Sequence, residues 1–300
     1  MWFIPVLITT VCWGAADLFY KMGADGKDFF SSSRTVIAVG TVMGLYGIVY
    51  MLLFGIKFDP FDIIRYLPVS LLYILSMFLG YAGLKYIELS VSSPLQNSSG
   101  AVTAILCMFI LRQMPSYLEL AGIIIISVSI VAMAHLNREP IPQNTERKYI
   151  TGIRAISFPI LYCILDGLGT FADAVYLNEE NPLITEDGAL LAYEFTFFIL
   201  AILVAIYMFG IKREKPIWTY GRKRIAAALF ETVGQVSYVS VIGARAIIAA
   251  PVIASYCIVS VILSAIFLKE KLNTKKYIVI IAAIIGIIIL GISDGLSGSF

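Results

Sequence analysis

Hydrophobic residues run along the chain in long blocks that are separated by short polar segments. Each block is about 20 residues long, the length that an α-helix needs to cross the hydrocarbon core of a bilayer. The pattern therefore predicts an all-α membrane protein with ten transmembrane helices and little chain outside the bilayer. The predicted spans are residues 2–21, 35–55, 66–86, 93–112, 117–136, 152–177, 187–210, 225–243, 249–268 and 276–293.

The longest polar segment, HLNREPIPQNTERKY at residues 135–149, divides the ten predicted spans into two groups of five. Its prolines and charged residues are typical of a linker. We therefore expect a first five-helix unit at residues 1–136, a cytoplasmic linker at 137–151 and a second five-helix unit at 152–300.

The composition agrees with a chain that lies mostly in lipid. Of its 300 residues, 59% are hydrophobic and only 14% are charged, too few charges for an ordinary soluble surface. A net charge of +2, spread between the blocks, offers no basic patch for a nucleic acid. The four cysteines have no spacing typical of a disulfide framework or a metal site, so no cofactor is expected. The first block has no basic segment before it and is expected to stay as a helix rather than be cleaved.

Lysine and arginine are distributed unevenly between alternate loops. Of the 22 such residues, four lie in one set of loops, and the others lie in the opposite set. Because basic loops stay in the cytoplasm, this imbalance predicts that both termini lie outside the cytoplasm, with a prokaryotic plasma membrane as the expected location. The four exceptions are Lys57, Arg65, Arg112 and Arg245.

The two groups of five spans contain a related segment. Residues 81–113 align without a gap to residues 238–270 at a constant offset of 157, and in both segments a tyrosine is followed 13 residues later by a proline. Since five spans per group is an odd number, repeated units must be inverted relative to each other in the membrane. Inverted repeats are typical of transporters that work by alternating access around a central cavity.

Several segments are typical of one family. The chain has CWGAADLFYKMG at residues 12–23, a small-residue turn with proline before the fourth and ninth spans, and apolar helices that end in LRQ at 111–113 and LKEKL at 268–272. These features resemble the EamA-type transporters of the drug/metabolite transporter superfamily. The resemblance implies ten helices and a cavity lined chiefly by spans three, four, eight and nine, with spans five and ten at the periphery. One departure is Gln113, where the family often carries an acid.

Polar residues within the spans recur at helical spacing, so each set shares one helix face. A charged side chain that faces lipid costs at least ~3 kcal/mol, so these faces are expected to point into the protein. The candidate substrate-binding residues are Trp13, Asp17, Tyr20, Tyr81, Gln96, Asn97, Asp166, Asp173, Glu194, Glu231, Gln235 and Tyr238.

Other roles remain open for several of these residues. Asp17 lies four residues before Lys21, the spacing of a salt bridge near the membrane surface. Tyr81 and Tyr238 can equally be packing residues whose hydroxyls bond to a neighbouring backbone. Asp166 is the strongest candidate, because it lies near the middle of the sixth span and no basic residue lies near the middle of any span.

Four acids within the spans, Asp166, Asp173, Glu194 and Glu231, are not matched by a comparable set of bases. Such groups can take up protons or hold a cation, whereas an anionic substrate would need several buried Lys or Arg residues. The predicted function is therefore secondary active transport of a small amine-bearing or zwitterionic metabolite, with protons as the candidate coupling ion. The expected partners are this small molecule and the lipid bilayer, and no nucleic acid.

Two other classes of function compete with coupled transport. An uncoupled facilitator or channel-like exporter would use the same polar cavity, so the sequence leaves it as the alternative. A membrane-embedded enzyme is disfavoured, because the single histidine, His135, lies at a helix end and no HExxH motif occurs. The isoleucine-rich last span suits either lipid or a second protomer, so both a monomer and a homodimer remain open.

Overall fold

The structure, a computed structural model of the chain, describes residues 2–86, 89–136, 153–216, 220–270 and 272–297. Within these ranges the chain forms only helices and connecting segments, so the predicted all-α class is confirmed. The predicted linker at 137–151 lies outside the described residues. The helices are α1 (Phe3–Gly23), α2 (Ser31–Phe54), α3 (Phe61–Gly83), α4 (Leu89–Asn97), α5 (Ser99–Phe109), α6 (Tyr117–Leu136), α7 (Ile153–Tyr176), α8 (Glu186–Ala205), α9 (Gly221–Ala254), α10 (Tyr256–Leu263) and α11 (Thr274–Ser297), and π-helical turns at Ile206–Ile211 and Ser264–Leu268 extend α8 and α10.

Eight helical segments in the described part of the chain are long and apolar enough to cross a membrane. Seven of them correspond to single predicted spans. The fourth predicted span is instead divided into the short helices α4 and α5, and the eighth and ninth spans lie together in one segment, Gly221–Leu268. The described residues therefore do not confirm ten separate helices, because hydropathy measures apolar length and does not detect where the backbone bends.

The long helix α9 changes direction at Arg245, whose backbone angles, φ −143° and ψ 52°, are not helical. A straight helix of 34 residues would be about 51 Å long, well above the roughly 30 Å thickness of a bilayer core. The bend lies between the predicted eighth and ninth spans. The Arg245 side chain holds it in place by donating to the Glu119 carboxylate at the start of α6, at 2.7 Å.

The two repeated segments are interrupted at equivalent positions. Ser98 separates α4 from α5, and Ser255 separates α9 from α10; the two serines differ by the same 157 residues as the sequence alignment. Each break follows a proline by four residues, Pro94 or Pro251. Proline has no N–H to donate and its ring disturbs the turn before it, so helical hydrogen bonding is weakened close to the break in both repeats.

Glycines allow the helices to approach closely. At Gly40 of α2, an added Cβ would lie only 2.2 Å from the Phe197 carbonyl oxygen of α8, and at Gly44 it would lie 2.3 Å from the Phe198 ring. The helices α6 and α11 pack in the same way, with Gly122 against Leu290. Small residues at helix interfaces of this kind are typical of packing within membranes.

Connecting segments meet at both ends of the helix bundle. At one end, called here the basic end, the Arg224 guanidinium donates to the Ser31 hydroxyl at 3.1 Å, and Glu270 accepts the Ser90 backbone N–H at 3.1 Å. At the other end, called here the acidic end, the Tyr50 hydroxyl donates to the Asp187 carboxylate at 2.9 Å.

Candidate functional site

A cavity lies between the helices, and it is bounded mainly by α1, α3, α7 and α9, with single residues from α4, α8 and α10. It contains about 570 Å³ of space that no atom occupies, including space open to solvent. Eight of the twelve predicted site residues line it. The lining residues are Trp13, Asp17, Tyr20, Tyr73, Met77, Gly80, Tyr81, Leu84, Gln96, Tyr162, Asp166, Tyr193, Glu231, Gln235 and Tyr256.

Three carboxyl groups face this cavity. Asp166 of α7 accepts a hydrogen bond from the Ser99 hydroxyl of α5 at 2.7 Å. Asp17 of α1 accepts from Ser93 at 2.5 Å and from Ser260 at 2.8 Å. Glu231 of α9 is partly buried on the same cavity wall. The lining of the cavity includes no lysine or arginine among the described residues, so its fixed chemistry favours a cationic group over an anionic one.

Aromatic rings form much of the remaining wall. The Trp13 indole N–H donates to the Glu231 carbonyl oxygen at 3.2 Å, which fixes the orientation of the ring. The Trp13 ring lies 5.2 Å from Tyr238 and 5.9 Å from Tyr256, measured between centroids. An ammonium group that enters the cavity would therefore contact carboxylates as well as the faces of aromatic rings.

The predicted residues Gln96 and Asn97 lie at the end of α4, next to the break at Ser98. Gln96 donates to the Ser92 hydroxyl at 2.9 Å, and Asn97 donates to the Ser93 carbonyl oxygen at 2.8 Å. Gln96 lines the main cavity, whereas Asn97 lines a smaller adjoining cavity, together with Tyr238. Asp166 lines both cavities, so they form a continuous polar region.

Two predicted site residues, Asp173 and Glu194, line neither cavity. Asp173 is completely buried towards the acidic end, where its carboxyl group accepts hydrogen bonds from three tyrosine hydroxyls: Tyr66, Tyr73 at 2.8 Å and Tyr238 at 2.9 Å. Tyr66 and Tyr73 belong to α3, Asp173 to α7 and Tyr238 to α9, so the cluster joins the two halves of the chain. We refer to these four residues as the Asp173 cluster.

Seven lining residues were not among the predicted site residues. For Tyr162 the signal was present, since it lies one helical turn before Asp166 on the same face. Tyr256 was missed because its counterpart under the 157-residue offset, Ser99, was not itself a predicted site residue. Tyr193 had no such signal, because the neighbouring acid, Glu194, suggested the wrong face of α8. The residues are Tyr73, Met77, Gly80, Leu84, Tyr162, Tyr193 and Tyr256.

The sequence matches a known protein family over both halves. The profile of the EamA-like transporter family covers residues 1–134 and 154–292. The chain belongs to this family. It is accordingly a multi-pass integral membrane protein of a transporter family, and the suspected resemblance is confirmed.

Other comparisons give the fold of this EamA-like protein only. A solved structure, titled only as the crystal structure of a protein, matches with a TM-score of 0.65 and 13% sequence identity, covering 94% of this chain and 97% of its own. A search of curated proteins found no match. The described residues of this EamA-like chain contain no group of three or more His, Cys, Asp or Glu side chains that could hold a metal ion.

Proposed function

We propose that this EamA-like protein is a secondary transporter that moves a small amine-bearing or zwitterionic metabolite by alternating access. The observation that carries the proposal is the charge of the cavity: Asp17, Asp166 and Glu231 line it, and its described lining contains no lysine or arginine. Buried charges need a partner, and a substrate ammonium group would supply one.

The cavity wall adds support for a compact cationic substrate. Trp13 and the tyrosines Tyr20, Tyr81 and Tyr256 surround the acids, and the Tyr20 and Tyr81 rings lie 4.8 Å apart between centroids. Aromatic faces attract ammonium groups, with an energy of about 0.5–2 kcal/mol that grows as water is excluded. Gln96 and Gln235 place amide groups on the same wall, suited to the carboxylate or hydroxyl of a zwitterion.

Proton coupling forms part of the proposal. A carboxyl group in the cavity holds a proton when the substrate is absent and releases it when an ammonium group takes its place. Asp166 and Glu231 are the candidates for this exchange, because both lie on the cavity wall. Asp166 lies near the middle of α7, and Glu231 lies near the middle of the part of α9 that precedes the bend at Arg245. The proton then moves opposite to the substrate.

Transport by a purified preparation tests the proposal. Proteoliposomes are screened for counterflow of amino acids, polyamines, quaternary amines, nucleosides and sugar phosphates. We expect an amine-bearing compound to be transported, and Asp166→Asn to lower the rate by roughly tenfold or more, since a hydrogen bond to a charged group contributes about 1.5–3 kcal/mol. Glu180→Gln, in the exposed loop before α8, is the matched control and should transport normally.

Four results would contradict the proposal or a part of it. Transport restricted to anions, or an unchanged rate in Asp166→Asn, would remove the role of the cavity acids. Flux that does not saturate and shows no counterflow would indicate a channel-like facilitator. Flux that ignores an imposed pH gradient would remove the proton coupling alone.

We further propose that the chain crosses a prokaryotic plasma membrane ten times as two inverted five-helix units, residues 1–136 and 152–300, joined by a cytoplasmic linker at 137–151. The bend at Arg245 supports this topology, since it divides Gly221–Leu268 into two parts that can each cross the membrane. The helices α4 and α5 together form the fourth crossing. Both termini then lie outside the cytoplasm.

Cysteine labelling of intact cells checks the orientation. In a background without the four native cysteines, a membrane-impermeant maleimide should label Glu180→Cys at the acidic end and leave Lys27→Cys at the basic end unlabelled. After the cells are opened, both should react. The reverse pattern in intact cells would show that the basic loops lie outside.

A further inference from the structure

Glu194 differs from the other buried acids. It is completely buried between α8 and α2, and neither of its carboxyl oxygens has a hydrogen-bond partner among the described residues. Asp173, equally buried, is bonded to three tyrosine hydroxyls. An unsatisfied buried polar group costs the folded protein about 1–3 kcal/mol, and more when it is charged. Packing alone therefore does not explain why an acid occupies this position.

Within the described ranges of the chain, the surroundings of Glu194 supply no counter-charge. One of its oxygens, Oε2, lies 3.2 Å from the position that a Cβ would take at Gly47 of α2, next to the Phe195 ring. On the neighbouring helix α3, the nearby charges are already paired: Arg65 donates to Asp62 at 2.6 Å. The titratable groups of α3 and α9 at this depth, three tyrosines, belong to the Asp173 cluster.

The remaining charged group of α9 near the acidic end, Arg245, is also engaged, since it pairs with Glu119 at 2.7 Å. A cation that neutralises Glu194 must therefore come from solution. The smallest such cation is a proton, which requires no coordinating oxygens, whereas a metal ion would need several ligands that the glycine and phenylalanine surroundings do not offer.

Polar side chains of α8 and α2 lie between Glu194 and the surface of the acidic end. Asp187, two helical turns before Glu194 on α8, is partly exposed and accepts a hydrogen bond from the Tyr50 hydroxyl at 2.9 Å. The Tyr50 ring stacks on Tyr46, with 5.6 Å between centroids. Tyr46 directly precedes Gly47, the α2 residue that faces the Glu194 Oε2 atom.

We propose that Glu194 is a proton-binding site separate from the substrate cavity, and that it exchanges with water at the acidic end through Asp187, Tyr50 and Tyr46. The preceding residue, Tyr193, faces the cavity and donates to the Met77 sulfur at 3.2 Å. Helix α8 therefore carries the proton site and a residue of the cavity wall on adjacent faces. A shift of α8 on protonation moves Tyr193 and so changes the shape of the cavity. This last step, the coupling, rests on the proposed transport function.

Infrared difference spectroscopy tests the site without any substrate. Purified full-length protein is moved between acidic and alkaline buffer while the carbonyl stretch of buried protonated carboxyl groups is recorded. We expect a pH-dependent band that is lost in Glu194→Gln, kept at a shifted position in Glu194→Asp, and unchanged in the exposed control Glu186→Gln. After a pH jump, the band should respond more slowly in Asp187→Asn and Tyr50→Phe.

Each other result overturns a defined part of the proposal. Identical spectra of wild type and Glu194→Gln would remove the site, and so would a Glu194 band that does not respond to pH, because the acid would then be a permanently protonated packing residue. A carboxylate signal that responds to sodium and not to pH would remove the assignment to a proton. Unchanged kinetics in Asp187→Asn and Tyr50→Phe would remove the path.

Flux measurements then test the coupling. In proteoliposomes, Glu194→Gln should keep counterflow of the substrate and lower the accumulation that a pH gradient drives, since Glu194 adds a second proton site to the exchange proposed for Asp166 and Glu231. If accumulation is unchanged, the coupling is wrong, even where the spectra establish the site. If no compound is transported at all, the transport proposal fails while the infrared result for Glu194 still stands on its own.

Discussion

Replacing Gly243 with alanine is expected to destabilise the folded protein by about 3 kcal/mol or more. An added Cβ would lie 1.9 Å from the Leu177 carbonyl oxygen and 2.8 Å from its carbon, far inside contact distance. The obstacle is the backbone at the end of α7, which cannot rotate away as a side chain could. Overpacking of this kind typically costs about 1–3 kcal/mol, and a clash between two backbones lies at the upper end.

The melting temperature of the purified protein in detergent measures this loss. A decrease of about 6 °C or more is expected, since 1 kcal/mol corresponds to roughly 2–4 °C in chains of comparable size. Gly210→Ala is the matched control, because the nearest atom to its added Cβ is 3.9 Å away. Its melting temperature should stay close to that of the wild type. Equal behaviour of the two variants would mean that α7 and α9 are not as close as described.

Asp173→Ala is expected to have a comparable or larger effect, about 3–5 kcal/mol of stability. The change removes the acceptor of three buried tyrosine hydroxyls at once and leaves a cavity between α3, α7 and α9. Hydrogen bonds to a charged acceptor contribute about 1.5–3 kcal/mol each, but bonds within one network do not add fully. Since the cluster joins the two halves, thermal unfolding should become less cooperative as well as earlier.

Single tyrosine variants separate the loss of hydrogen bonds from the effect of the space that Asp173→Ala leaves between the helices. Tyr66→Phe, Tyr73→Phe and Tyr238→Phe each remove one hydroxyl and keep the ring, so each should cost about 1 kcal/mol and their effects should be less than additive when combined. Glu179→Ala, in the exposed loop before α8, is the control acid and should be nearly neutral. Asp173→Ala with a wild-type melting temperature would show that the cluster does not hold the halves together.

Much of the fold was predictable because it depends on apolar length. The ten hydrophobic blocks all correspond to helical chain where the structure describes them. The breaks at Ser98 and Ser255 were not predicted, although each follows a proline that the repeat alignment had matched. Counting helices failed at α4, α5 and α9, because a bend inside an apolar segment leaves its hydropathy unchanged.

The depth of the candidate site residues along their helices was predictable from the sequence. Which side of each helix faces the cavity was not. Asp166 and Asp173 share one stripe of α7, yet only Asp166 meets the cavity, since three tyrosines from other helices enclose Asp173. Which side of α8 faces the cavity depends on how Gly40 and Gly44 of α2 fit against it, a long-range contact that no local spacing reveals. Helix rotation is decided by packing between distant segments.

The position of Trp13 provides a reporter of cavity occupancy. The chain has only three tryptophans, at positions 2, 13 and 218, and Trp13 alone lines the cavity within the described residues. Its indole N–H is bonded to the Glu231 carbonyl oxygen, and its ring packs on Tyr238. In a variant that keeps Trp13 as the sole tryptophan, intrinsic fluorescence would follow the filling of the cavity directly. Ligands of any chemical class would then be recognised by their emission change, with no label attached and before the substrate is identified.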